Sequence, residues 1–194
     1  MTLNTPLIYL ASKSPRRAEL LEQIGIHFEV IDVDVPELVK AGEPPTEFVQ
    51  RLALEKAHAG LQASEQSLPV LGADTIVVLD ETILGKPVFE GDAEAMLALL
   101  SGRTHQVMTA VAVVDSEREL LRLSTSQVSF REISEAEQTA YVATGESAGK
   151  AGSYAIQGQA AVFIEKLEGS YSGVMGLPLF DVAEIFREFG IDVI

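Results

Sequence analysis

The chain has 194 residues, 47% of them apolar, with a formal net charge of −15, enough apolar material for one substantial core in a single domain, residues 1–194, or in two closely joined lobes. The acidic balance argues against broad binding to a nucleic acid polymer or an anionic membrane, which need a basic footprint. No cysteine occurs, which removes disulfides, thiolate metal sites and cysteine nucleophiles, and no apolar run approaches the roughly 18 residues of a membrane span.

The opening "MTLNTPLIYLASKSP" has no basic segment followed by a long apolar stretch and a cleavage site, so the cytoplasm is the expected compartment. "LIYLA" reads as a short buried strand. A helix over residues 15–24 follows, with Ser14 as N-cap and Pro15 pre-set for its first position. "FEVIDVDV" alternates as a strand up to the break at Pro36 and Glu37, and "AGEPP" is a loop. Thr46 is expected to cap a helix to about Gln62, and "VLGADTIVVLD" is a strand turning at Asp80 and Glu81 into "TILGKP". Asp92 is expected to cap the next helix, ended by Gly102. "HQVMTAVAVVD" and "LLRLSTSQVSFREI" read as an antiparallel hairpin around "SERE". "SEAE" at 134–137 has the capping-box pattern before a helix to about Thr144. "AVFIEKLEGSYSGVMGLP" reads as hairpin-like, and Pro178 opens a last helix ending near Gly190. The predicted fold is mixed α/β: a mixed, twisted sheet with flanking helices, folded into two lobes around a cleft.

Against the acidic background, cations inside apolar or glycine-rich stretches mark an anion site. Arg16 and Arg17 stand where a helix begins, the end whose unpaired N–H groups favour negative charge. With Ser12 and Ser14 they suit phosphate oxygens, although two solvated arginines after a Ser-Pro cap would read the same. Lys56 falls within the apolar arc of Val49, Leu52, Ala53, Ala59 and Gly60, so it faces inward or snorkels to solvent. Asp74, inside an apolar strand, needs a partner, a metal or backbone donors, and the preceding Gly72 and Ala73 are read as leaving room for a ligand. Lys86 sits on a loop between Gly85 and Pro87. Lys150 and Gln157 lie in the glycine-rich "GKAGSYAIQG", which is either a close approach to a ligand or a flexible turn. His27, His58 and His105 are too scattered for a histidine metal site, and neither a Walker A loop nor a G-x-G-x-x-G motif occurs.

In order, "SKSPRR", "GADTIV", "LGKP", "LSGRTHQVMTAV", "KAGSYAIQG" and "YSGVMGLP" resemble the Maf family of nucleoside triphosphate pyrophosphatases across essentially the whole chain. The resemblance implies a fold similar to the inosine triphosphate pyrophosphatases, a homodimer, and hydrolysis of a nucleotide between its α and β phosphates. It implies Ser12, Arg16 and Arg17 as phosphate and substrate contacts, Lys56 and Lys86 as further phosphate cations, and Asp74 as general base or metal ligand; Lys150 can add to the positive charge on the substrate. Glu37 would share the divalent metal, Mg²⁺ with Mn²⁺ or Co²⁺ as substitutes. Thr75 and Gln157, with Arg17, resemble the branch acting on dTTP and UTP. The 7-methyl-GTP branch and a nucleotide-responsive regulator of septum formation and cell division are the alternatives. Where many relatives have an acidic residue before the lysine, this chain has Gly149.

Overall fold

The computed structural model describes residues 7–65 and 67–193; residues 1–6, part of the start read above for a leader, lie outside them. The core is a seven-stranded mixed sheet. β1 (Ile8–Ala11) pairs in parallel with β2 (Phe28–Val30) on one side and with β3 (Val70–Leu79) on the other. The remaining pairings are antiparallel: β3 with β4 (Thr82–Leu84) and β5 (Thr104–Val114), β5 with β6 (Glu119–Phe130), and β6 with β7 (Ile164–Glu168). Helices α1 (Pro15–Gln23) and α6 (Leu179–Glu188) cover one face with a core of Leu20, Leu21, Val111 and Phe186. Helix α2 (Pro45–Ala63) covers the other, packing Val49, Leu52 and Ala53 on Ile76, Ala110 and Ala112. A third cluster joins α3 (Glu90–Leu100) and α4 (Glu135–Val142) to the far ends of β3, β5 and β6 through Leu97, Leu100, Val128, Phe130 and Tyr141.

One break in this sheet prepares the site. β1 covers the edge of β3 only as far as Gly72, opposite Ala11, and β4 takes up that edge only from Val77, opposite Leu84. Residues 73–76 of β3 therefore face a gap between β1 and β4, where β1 gives way to the α1 N-terminus. The crevice beyond the carboxyl end of a strand, where chain direction changes, is the usual ligand position in an open α/β sheet. It also divides the molecule into the two predicted lobes, with β1, β2, α1, α2 and α6 on one side and β4, α3 and α4 on the other.

The capping box of α4 forms as read: the Ser134 side chain accepts from the Glu137 N–H while the Glu137 carboxylate accepts from the Ser134 N–H. Elsewhere the local readings need correction. β2 stops at Val30. The alternation beyond it is real, since Ile31, Val33 and Val35 pack against the α2 face, but β1 has already turned into α1 and no partner strand remains. Pro44, not Thr46, occupies the N-cap of α2, with Pro45 at the first helical position. Phe89 holds the N-cap of α3; the Asp92 carboxylate reaches back to accept from the Val88 N–H at 3.0 Å. The stretch 161–178 is not a hairpin. It holds the end of a 3₁₀ turn (Gln159–Phe163), the single strand β7 paired back to β6, and the short helix α5 (Tyr171–Met175). Gly72 makes room for a helix and not for a ligand: a Cβ there would lie 2.4 Å from the Ala53 carbonyl oxygen and 2.5 Å from the Ala57 nitrogen of α2. Ala73 is likewise fully buried in the core.

Candidate active site

The gap in the sheet opens into a cleft of about 810 Å³, within the range of small-molecule sites. Lys13, Arg16, Arg17, Lys56, Lys86 and Lys150 line it, six of the chain's 14 basic residues. Four carboxylates, Glu19, Glu37, Asp74 and Glu146, share the lining. All ten residues singled out from the sequence as catalytic, metal or substrate contacts border this one space.

Successive residues of a strand point to opposite faces, and the cleft uses both faces of β3. Toward α2 goes Asp74, buried at 6% exposure. Its Oδ1 accepts a hydrogen bond from Lys56 Nζ at 2.7 Å. The same ammonium donates to Glu37 Oε1 at 2.6 Å, and Lys86 Nζ donates to Glu37 Oε2 at 2.6 Å. Lys56 therefore does not snorkel; its side chain is 11% exposed and holds two carboxylates together. Burial by itself raises the Glu37 pKa, but hydrogen bonds from two ammonium groups outweigh it and pull the carboxyl down to about 2.

Toward α1 goes Thr75. Its Oγ1 accepts from Arg17 Nη2 at 3.1 Å, while Arg17 Nη1 donates to Ser12 Oγ at 3.1 Å and Arg17 Nε to the Gly176 carbonyl at 2.8 Å. Arg17 is thus not a solvated helix-start arginine: it is 9% exposed and ties β3, the β1–α1 turn and the end of α5 together. Its neighbour Arg16 is half-buried and donates to the Met175 carbonyl at 3.3 Å. Burial lowers the pKa of both guanidiniums. Burial also lowers the Lys150 pKa, and the Arg16 charge lowers it further against the opposing pull of Glu146. Those like charges meet at the α1 N-terminus, where the N-cap Ser14 makes no side-chain cap bond and no acidic residue stands in the first turn. A polyanion would relieve all of them together.

The glycine-rich segment forms the opposite wall. Gly152 adopts φ +67° and presses on Val77, where a Cβ would come within 2.9 Å of a methyl carbon. Its N–H donates to the Gly85 carbonyl at 3.1 Å, tying the Lys150 segment to the Lys86 loop. Gln157 is exposed on the cleft lining. Three residues of this region escaped the sequence reading. The Glu146 carboxylate accepts from Tyr141 Oη at 2.8 Å and from the Gln159 and Ala160 N–H groups at 2.9 and 3.3 Å, fixing the chain just after Gln157. Tyr154, also lining the cleft, hydrogen-bonds His105 Nε2 at 2.8 Å through its hydroxyl. Thr109 lies behind Thr75. A polar residue within the apolar run of β5 is the same signal that singled out Asp74, and it would have found Thr109.

The sequence model for Maf-like protein matches residues 7–189. The chain belongs to the Maf-like family. Relatives named dTTP/UTP pyrophosphatase in Alkalilimnicola ehrlichii and Saccharophagus degradans are 56% and 54% identical, covering 96% and 98% of this chain and 95% and 92% of theirs. A solved nucleoside-triphosphatase / dITP/XTP pyrophosphatase from Mycobacterium abscessus aligns with a TM-score of 0.43 at 22% identity, over 63% of this chain and 72% of that one.

As for a metal, no three His, Cys, Asp or Glu side chains converge among the described residues. Asp74 and Glu37, two hard oxygen donors meeting at one ammonium, fit the Mg²⁺ pattern of one or two protein carboxylates completed by water and substrate phosphate oxygens. They do not fit a cage made by protein alone.

Proposed function

We propose that this Maf-like chain is a nucleoside triphosphate pyrophosphatase that converts dTTP and UTP to the monophosphate and pyrophosphate. What carries the reading is the convergence of Asp74 and Glu37 on Lys56 beside the cations of the α1 N-terminus, together with the close relatives named for this activity. Phosphoryl chemistry asks for positioning and concentrated positive charge more than for covalent work. Arg16 and Lys150 take the phosphate chain, with Ser12 and the α1 N–H groups, and Lys56 and Lys86 add charge from the far side. Asp74 takes a proton from the attacking water as its oxygen bonds to the α phosphorus; the α–β bridging bond breaks and pyrophosphate leaves with the bond electrons. Mg²⁺, held by Asp74 and Glu37, would supply charge stabilisation for the leaving group. Arg17, Thr75 and Gln157 face the base.

The reading carries with it a cytoplasmic homodimer. Among the described residues no helix is long and apolar enough to cross a membrane; sedimentation of the purified protein tests the dimer. The decisive experiment incubates the protein with a panel of nucleoside triphosphates and Mg²⁺ and separates the products. Pyrophosphate and monophosphate from UTP and dTTP are expected. Orthophosphate with diphosphate would overturn the α–β assignment, and a preference for 7-methyl-GTP would overturn the base assignment.

A further inference from the structure

Thr75 and Thr109 are directly opposite each other in the register of β3 and β5, and their hydroxyl oxygens lie 2.9 Å apart. Thr109 is 1% exposed, and its Oγ1 also lies 2.8 Å from the Gly173 carbonyl oxygen. A carbonyl oxygen has no proton to give, so the proton on that contact belongs to Thr109; without it, lone pairs would face each other at hydrogen-bond distance in a dry site. A hydroxyl has only one proton. Thr109 must therefore accept from Thr75, whose own proton points inward, away from the cleft. Arg17 Nη2 fills one lone pair of Thr75 Oγ1. The relay has a fixed polarity, Arg17 to Thr75 to Thr109 to Gly173, and what Thr75 keeps for the cleft is a lone pair.

We propose that Thr109 is a specificity-positioning residue: by holding the Thr75 proton it makes Thr75 an acceptor-only group, which selects bases carrying a ring N–H. This rests on the reading above that Thr75 faces the base. Uracil and thymine offer the imide N3–H as donor, whereas cytosine presents a bare N3 lone pair. Cytosine then sets lone pair against lone pair, the mismatch by which a hydrogen-bonding site rejects a near-isostere. Adjacent Gly176 donates its N–H to the same Gly173 carbonyl at 2.9 Å, so that carbonyl keeps a partner when the Thr109 hydroxyl is removed.

Thr109→Val keeps the shape and removes the hydroxyl, freeing the Thr75 proton to turn into the cleft. The ratio of kcat/KM for UTP over CTP is expected to fall about tenfold, by loss on UTP and gain on CTP, and Thr109→Ser is expected to restore it. A purely structural role would lower both substrates together and leave the ratio in place. Calorimetric binding of UMP and CMP gives the same ratio without turnover, so a protein releasing no pyrophosphate, which defeats the parent reading, is told apart from an unchanged ratio, which defeats this one. If Thr109→Val does not fold, judged by its thermal transition, Thr109→Ala serves as the hydroxyl-free variant. A ratio within twofold of wild type in the folded variant, or a wild type without preference for UMP over CMP, overturns the proposal.

Discussion

Asp74 and Thr75 are neighbours on one strand, yet they belong to two differently built halves of the cleft. On the α2 face the contacts are between full charges: Asp74, Lys56, Glu37 and Lys86 form a chain of ion pairs. On the α1 face a single buried cation, Arg17, is tied to neutral oxygens of Ser12, Thr75 and Gly176. Ion pairs can exchange partners when phosphates and a cation arrive, while a hydrogen-bonded wall that is already complete holds its shape. On the proposed function, chemistry belongs to the charged face and recognition to the neutral one, and each half can be broken separately.

The largest effect is expected at Asp74. Asp74→Asn keeps the volume and lets an amide oxygen still accept from Lys56, but removes the charge needed to take a proton or hold a metal. Turnover should fall about 10²- to 10⁴-fold with the thermal transition little changed. Near-normal pyrophosphate release would remove chemistry from this face, and loss of activity together with unfolding would make Asp74 a structural residue.

Next comes the wall behind Lys150, where Tyr154, Phe130 and His105 stack edge to face. His105 is 2% exposed, and burial holds its pKa down to about 4 from 6.5. The unfolded chain takes up this proton near pH 6.5, the folded protein only near 4. The contribution to stability is therefore intact above pH 6.5, declines as pH falls between the two values, and levels off below. The full span is on the order of 3 kcal/mol. His105→Gln, which does not titrate, should show a smaller drop in urea midpoint between pH 7.5 and 4.5 than wild type, since the surface carboxylates contribute equally to both. Equal drops would show that His105 charges without cost and that this wall is wetter than its packing implies.

The split between the faces also explains what the sequence disclosed. Inward polar residues could be recognised because apolar patterning makes them conspicuous: Asp74 in an apolar strand, Lys56 in an apolar arc. Thr109 carried the same mark. The β5–β6 hairpin and the α4 capping box were legible for the same reason, each resting on local pattern. Whatever depends on a neighbour distant in sequence was not legible. The "IDVDV" alternation cannot reveal that β1 is too short to pair with it, and Gly72 cannot reveal that α2 crosses it. Above all, Arg16 and Arg17 look alike in sequence, and only the Gly176 turn, 159 residues away, separates their roles.

That separation is the third test. Arg17→Ala removes a donor from each of the Gly176, Ser12 and Thr75 oxygens at a largely buried place, and should cost about 2 kcal/mol of stability. Arg16→Ala gives up one long backbone contact and a cation at the wrong helix end, so its stability should stay within about 0.5 kcal/mol of wild type while triphosphate binding weakens. Denaturant melts and calorimetry with nucleotide and nucleoside check this. Equal stability losses would merge the two arginines into one structural unit.

The smallest effect on stability, and the sharpest on charge, is expected for Lys86→Met. The Lys86 side chain is 55% exposed, and an ion pair so open to solvent contributes about 0–1 kcal/mol, so the melt should barely move. Its bond to Glu37 is nonetheless one of the two that hold that carboxyl at about 2. With one ammonium gone, burial is opposed by Lys56 alone and the Glu37 pKa rises toward its ordinary 4.5. At neutral pH Glu37 is ionised in both proteins and the difference is hidden. As pH falls, Glu37 of the variant protonates first, within the window between about 2 and 4.5, and only in that window do the proteins part. A carboxyl-carbon NMR titration of Glu37 reads this directly, and added salt should narrow the gap by screening the exposed ammonium. Superimposable titrations would mean that Lys56 alone fixes Glu37, leaving Lys86 free on its loop to follow an incoming phosphate.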